Sequence, residues 1–293
     1  MDMGQPRKKT HRPDGRAKPG ERSSARSPDA EIAVRDFAAV APGLTPGVYN
    51  YCDRWCARCP LTARCLVFRT DQQQRSAAGQ TAADASKERF WDGIALCFAT
   101  AIQLIRRDAK IHGIDLDSPE LQDELQHEER RRRTAAARVG GILRRTSTAY
   151  WKGGGRLLKA LPATLDKTSA LLETEVRLGV GNPRATVEEI SEALEVVQWY
   201  LLFIEVKLRR AVNSYVDEQR DGIDGTARDS DGSAKVALVA IDRSLAAWAR
   251  LREHFAAEHG DAILDLLVLL ERLRRSTEAK FPNARAFQRP GFD

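Results

Sequence analysis

Four cysteines fall within fourteen residues of this 293-residue chain, in the stretch YNYCDRWCARCPLTARCLVF over residues 49–68. Cys52, Cys56, Cys59 and Cys65 are spaced C-x3-C-x2-C-x5-C, and the one further cysteine is Cys97. Thiolates gathered in one place are the ligands of Zn²⁺ and of iron–sulfur clusters, because soft sulfur donors suit both centres. Disulfides would also explain clustering, but loops this short strain the bridge. Five cysteines in 293 residues are also too few for a disulfide-stapled secreted scaffold. The four clustered thiols are therefore the expected metal ligands. Around either centre they leave a net charge of about −2. Arg54, Arg58 and Arg64, with Arg69 nearby, are the expected cofactor-binding cations, and Tyr49, Tyr51, Trp55 and Phe68 are placed to exclude water. Cys97, in the apolar stretch FWDGIALCFATAIQLI, reads as a buried small hydrophobe.

The spacing leaves two centres open. Pro60 follows Cys59, as in ferredoxin-type ligand runs. Zinc sites commonly pair two C-x2-C knuckles, and only Cys56 and Cys59 form one here. The balance tips toward a [4Fe–4S] cluster, with structural Zn²⁺ the close competitor. Over eight residues, Cys52 to Cys59 is similar to the radical S-adenosylmethionine motif, which implies a three-cysteine open iron site in a barrel of strands and helices. The pattern departs from that family at Arg58, where an aromatic residue is usual. Cys65 would close the open iron, and the chain carries almost no strand signal.

From residue 84 onward the apolar residues recur with helical period, so the fold class is all-α. The pattern predicts a bundle of six or seven helices. The first runs over 84–111 with an apolar stripe through Phe90 or Trp91, Ile94, Phe98, Ile102 and Ile105. Ser118 and Pro119 give the N-cap and first position of the next, which reaches Arg145 or beyond, bends at Gly140-Gly141 and ends by Gly153-Gly154-Gly155. A shorter helix covers 163–179 and closes at Gly179 and Gly181. Ile190, Leu194, Val197, Leu201, Ile204, Leu208 and Val212 define a central helix, buried all round at WYLLFI. Residues 220–233 read as a flexible loop. Two antiparallel helices follow over 234–257 and 261–279, parted at Gly260. The organisation is thus a disordered basic arm (1–47), a four-cysteine lobe (48–75), a helical bundle (84–280) and an extended tail (281–293) anchored by Phe281, Phe287 and Phe292.

Some polar residues fall on apolar faces. Glu205 and Asp242 lie on buried stripes, and Glu88 and Asp92 lie near one. Inward carboxylates can build a second metal site, but only one Glu-x-x-His pair exists, Glu124 with His127. Ion pairing of Glu205 and Asp242 with Lys207, Arg209, Lys235 or Arg243 is the simpler expectation. Arg131, Arg138 and Arg145 recur every seven residues beside Arg130, Arg132 and Arg133. Such a stripe can follow phosphates, but Asp123, Glu124, Glu128 and Glu129 stand at pairing distance, which favours a self-paired solvated face. His112, His254 and His259 share no ligand spacing. There is no Gly-rich phosphate loop, no G-x-S-x-G and no H-E-x-x-H.

The formal net charge of +6 is concentrated at the front. Residues 1–26 hold eight Lys/Arg against three acids, a net of +5, and leave the other 267 residues at +1. That arm can touch polyanions non-specifically, though a solubilising tail explains it as well. No apolar run is long enough to span a membrane, and MDMGQPRKKT has no signal-peptide core. A cytoplasmic location without membrane contact is expected. The leading function is metal-centre binding, the centre being structural, electron-transferring or redox-sensing. The alternatives are a zinc-stapled regulatory module contacting nucleic acid or an acidic partner, and a metal-dependent enzyme using Glu205 and Asp242.

Overall fold

The computed structural model describes residues 43–77, 98, 101–222 and 228–293, and all regular structure among them is helical. Glu88, Asp92, Cys97 and residues 1–42 of the arm read over 1–47 lie outside the described residues. Of the unit Met1–Leu44 only Gly43 and Leu44 are described, and Thr45–Asp293 form one compact unit. Helix α1 spans Leu66–Ala77, and α2 is described over residues 101–111. Three long helices follow: α3 (Pro119–Leu178), α4 (Pro183–Asp221) and α5 (Asp229–Lys280).

Local chemistry fixes the ends of the long helices. The Ser118 hydroxyl accepts from the Leu121 amide at 3.2 Å ahead of Pro119, as the sequence predicts. Asn182 does the same for α4, accepting from Ala185 at 3.3 Å. Gly179 and Gly222 end α3 and α4 in the left-handed region, with φ of 67° and 64°. The start of α5 is capped from a distance. Buried Glu218 of α4 accepts from the Ser230 amide at 2.9 Å and its hydroxyl at 2.5 Å, placing a carboxylate at the positive end of α5. The short links between the long helices make neighbours antiparallel.

The core lies between α3, α4 and α5. Ile190, Val197, Ile204, Leu208 and Val212 are buried, as their spacing predicts. They meet Leu143, Tyr150, Leu157 and Leu161 of α3 and Leu238, Ile241, Trp248 and Leu251 of α5. Trp248 is fully buried, and its indole N–H is satisfied by donating to the Tyr150 hydroxyl at 3.1 Å.

Several boundaries differ from the sequence reading. Gly153-Gly154-Gly155 do not end a helix, and residues 163–179 are not a separate one: α3 runs unbroken through both stretches and through Pro162. The glycines serve close packing instead. A Cβ on Gly140 would stand 2.8 Å from both methyls of Val212, and one on Gly154 would stand 2.5 Å from Leu201 Cδ1. Each glycine costs about 1 kcal/mol of helix propensity, which the close approach of the helices offsets. Likewise α5 continues through Gly260, and its backbone departs from helical geometry at buried Phe255 (φ −122°) instead. Of the loop expected over 220–233, residues 220–221 belong to α4 and 229–233 to α5, and 223–227 lie outside the described residues. The WYLLFI stretch is not buried all round, since Trp199 and Leu202 are 40% and 49% exposed. Of the stripe expected on the first helix, Phe98, Ile102 and Ile105 are exposed, while Phe90, Trp91 and Ile94 lie outside the described residues; Ala109 of α2 is buried. The tail is anchored by buried Phe281 and Phe287 as expected, but it coils into a 3-10 turn at Ala284–Ala286.

One glycine joins the N-terminal loops to the bundle. A Cβ on Gly232 of α5 would lie under 3 Å from the rings of both Tyr51 and Phe287, which meet edge to face at 4.8 Å. Gly232→Ala gains about 1 kcal/mol of helix propensity but overpacks two rings that are themselves wedged, at about 1–3 kcal/mol. Packing should win, and the variant should melt several degrees lower in a circular-dichroism scan. An unchanged or raised midpoint would show that the rings have room to move.

Candidate metal centre

The cysteine segment is built from turns that bring its thiols to one side. Cys56 opens a 3-10 turn, Cys56–Arg58, and Cys59 caps it with its amide donating to the Cys56 carbonyl at 3.3 Å. Residues three apart on a 3-10 turn are eclipsed, so a C-x2-C pair shares one face. A second 3-10 turn, Thr62–Arg64, delivers Cys65 at its end, and α1 starts at the next residue. Between Cys52 and Cys56 the chain reverses at Arg54, whose φ of 59° is left-handed.

All four cysteines are free thiols. They line one cavity of about 20 Å³, walled by Val48, Leu61, Phe68 and Phe292. The Cys52 thiol donates to the Tyr49 carbonyl at 3.5 Å, and the Leu61 amide donates to Cys59 Sγ at 3.4 Å. Burial raises the Cys56 thiol above its ordinary pKa, and the neighbouring Cys52, Cys59 and Cys65 sulfurs raise it further, while Arg54 opposes them. Among the described residues no three His, Cys, Asp or Glu side chains yet meet in a metal-holding arrangement. The thiols border a common space without converging in it.

Asp53 holds this segment on the bundle. Its Oδ1 accepts from the Trp55 amide at 3.1 Å, stiffening the turn. Its Oδ2 accepts from the Tyr200 hydroxyl at 2.6 Å and from Arg243 at 2.8 Å. Its carbonyl accepts from the Trp199 indole at 3.0 Å. Trp55 stacks on Trp199 at 5.0 Å and meets Tyr200 edge-on at 5.8 Å. Tyr51 donates to Asp229 at 3.1 Å, and Asp229 also accepts from Arg210 and Ser214.

The expected cations divide. Arg54 acts on Cys56 by its charge and borders the cavity. Arg58 instead lies over the Trp55 ring at 4.4 Å and pairs with Glu195 of α4. Arg64 keeps an exposed side chain and gives its carbonyl to the Thr45 amide at 2.9 Å. Trp55 and Phe68 border the cavity, and Tyr51 turns toward Asp229 and Phe287. The sequence reading missed Lys207. This buried α4 lysine is held below its ordinary pKa by burial and by Arg210, and it feels the opposing charge of Cys52. It also missed Asp53 and Phe292.

The carboxylates considered for a second site do not gather. Glu205 accepts from Thr148 at 3.3 Å, and Asp242 pairs with Arg285 at 2.6 Å, so none of the partners expected for them is used. Arg243 is taken by Asp53, and Lys235 donates to the Arg285 carbonyl at 2.7 Å. The histidines are likewise dispersed: His112 faces Asp108, His254 faces Glu189 and His259 meets Thr164. No protein family, curated protein or solved structure matches this chain.

Two outcomes follow from the anchoring contacts. Asp53→Ala removes the carboxylate that Tyr200 and Arg243 share, at a cost of about 1–3 kcal/mol. Trypsin should then cut after Arg54, Arg58 or Arg64 roughly tenfold faster or more, with the helical circular-dichroism signal retained. Equal cleavage would mean that ring stacking alone holds the segment. Burial tends to raise the Asp229 carboxyl, but hydrogen bonds from Arg210 and Ser214 prevail and hold it below the usual range. A depressed folded value gives stability that is present above pH ~4 and lost as pH falls further. Urea midpoints of the wild type and of Asp229→Asn should therefore converge between pH 5 and pH 3, and a gap that stays constant would contradict this.

Proposed function

We propose that this chain is a metal-centre-binding helical protein in which Cys52, Cys56, Cys59 and Cys65 ligate one inorganic centre. The supporting observation is four free thiols, presented by two cysteine-bounded turns, around one small cavity. A cavity of about 20 Å³ admits roughly one water-sized sphere. That size supports a single tetrahedral Zn²⁺ over a four-iron cube, although Pro60 after Cys59 speaks for the [4Fe–4S] cluster. Arg54 and Lys207 are the cations disposed to offset the thiolates, and Trp55, Phe68 and Phe292 border the cavity, with Cys56 on its exposed side. Such an ion would fix the loops before α1 against α4 and α5. Its main role on this reading is structural, since metal binding contributes directly to folding.

Anaerobic purification followed by elemental analysis and visible absorbance tests this reading. About one zinc per chain, without a visible band, is expected. Cys56→Ser with Cys59→Ser should abolish the metal and lower the melting temperature. About four irons with a broad visible band would identify the centre as the cluster. Neither metal at near-stoichiometric level would overturn the proposal.

A further inference from the structure

Helix α3 carries eight arginines and two lysines between residues 130 and 165, and no acid. Because α3 is continuous, the seven-residue repeat of Arg131, Arg138 and Arg145 extends through Lys152 and Lys159. All five side chains are exposed. At 1.5 Å per residue they span about 42 Å, and the line drifts by only about 20° per repeat. The self-pairing that would neutralise this face is largely missing. Glu129 takes Arg132 and Arg133, Asp217 takes Arg132 as well, and Glu128 turns to Arg220 of α4. None of the five stripe cations has an ion pair among the described residues, nor do Arg130, Arg144 and Arg156.

Two shallow grooves lie along the same line. One is bordered by His127, Arg130, Arg131 and Arg138, with the small Thr134 and Ala135 between them. The other lies against α5, where Lys152, Arg156 and Arg272 stand at the rim of a floor made apolar by Leu266, Val268 and Leu269, and Asp265 is the one acid. Small residues between cations let a polymer backbone approach closely. Exposed large apolar side chains on this stretch are limited to Ile142 and Trp151, too few for insertion into a membrane.

We propose that the Arg131–Lys159 face of α3 binds the phosphate backbone of nucleic acid without sequence preference. A single-sign line about 42 Å long, winding by about 80° over its four repeats, has the length of about twelve phosphates along one duplex strand at ~3.4 Å each. The inference does not rest on the metal centre.

The test is fluorescence anisotropy of the full chain with a labelled 20-base-pair duplex of arbitrary sequence, titrated from ~50 to ~200 mM NaCl. If about five cations meet phosphates, log K should fall against log salt with a slope near −4.5, a loss of about several hundred-fold in affinity over that range. Substituting Gln for Arg131, Arg138 and Arg145 together should reduce the slope to about −2, with an unchanged melting temperature because all three are exposed and Gln is a good helix former. Substituting Gln for Arg7, Lys8, Lys9 and Arg12 in the basic arm should leave most of the binding. The proposal is overturned by no binding at ~50 mM salt, by loss on the arm substitutions alone, or by an unaffected α3 variant. Phosphatidylserine vesicles or polyglutamate bound in preference to the duplex would overturn it as well.

Discussion

The Asp53 carboxylate is the point at which the cysteine segment and the helical bundle become one structure. Its two oxygens reach a neighbouring amide, a phenol of α4 and a guanidinium of α5. A carboxylate between a turn amide and an arginine is satisfied on both sides, and such charge-assisted bonds are among the stronger polar contacts. Beside it the indoles of Trp55 and Trp199 stack on one another, and the Trp199 N–H donates to the Asp53 carbonyl. With this anchor in place, the turns that follow have a fixed starting direction, and the four thiols face a common cavity. Without it, the segment is held mainly by the ring contacts of Tyr51 and Trp55 and by buried Val48.

The bundle that receives this anchor depends on close helix approach. Glycines at positions 140 and 154 bring α3 within reach of Val212 and Leu201, and Gly232 seats Tyr51 and Phe287 on α5. The same uninterrupted α3 that packs through its small residues on one side presents its cations on the other. Continuity of that helix is therefore shared by the core and by the exposed basic face. The cysteine segment and the exposed cations of α3 lie in one compact unit, and none of the described helices is long and apolar enough to cross a membrane.

Much of the helical content was legible in the sequence because periodicity is local. The stripe from Ile190 to Val212 and the Ser118-Pro119 start hold as read. The misread positions are those where a residue type has two physical uses. Glycine ends helices when isolated but permits contact when a partner helix lies over it, and only the partner distinguishes Gly154 from a terminator. Gly260 has no such partner, since only Ala256 of its own helix lies within 4 Å of where its Cβ would stand, and the backbone break falls instead at Phe255, which no local rule marks. The cysteine cluster was legible from spacing alone. The bond from Asp53 to the Trp55 amide is a short-range pattern that could have been noticed. Its bonds to Tyr200 and Arg243 span 147 and 190 positions and leave no trace in sequence. Lys207 was legible as a position on α4 but not as the cation beside Cys52.

The most direct measurement is site-resolved thiol alkylation of the native chain purified without reductant, read by mass spectrometry before and after a strong chelator. Cys52, Cys56, Cys59 and Cys65 should be protected together at first and should become reactive together once the chelator has acted. Immediate labelling of any of the four, or their recovery as covalent pairs, would contradict a shared centre.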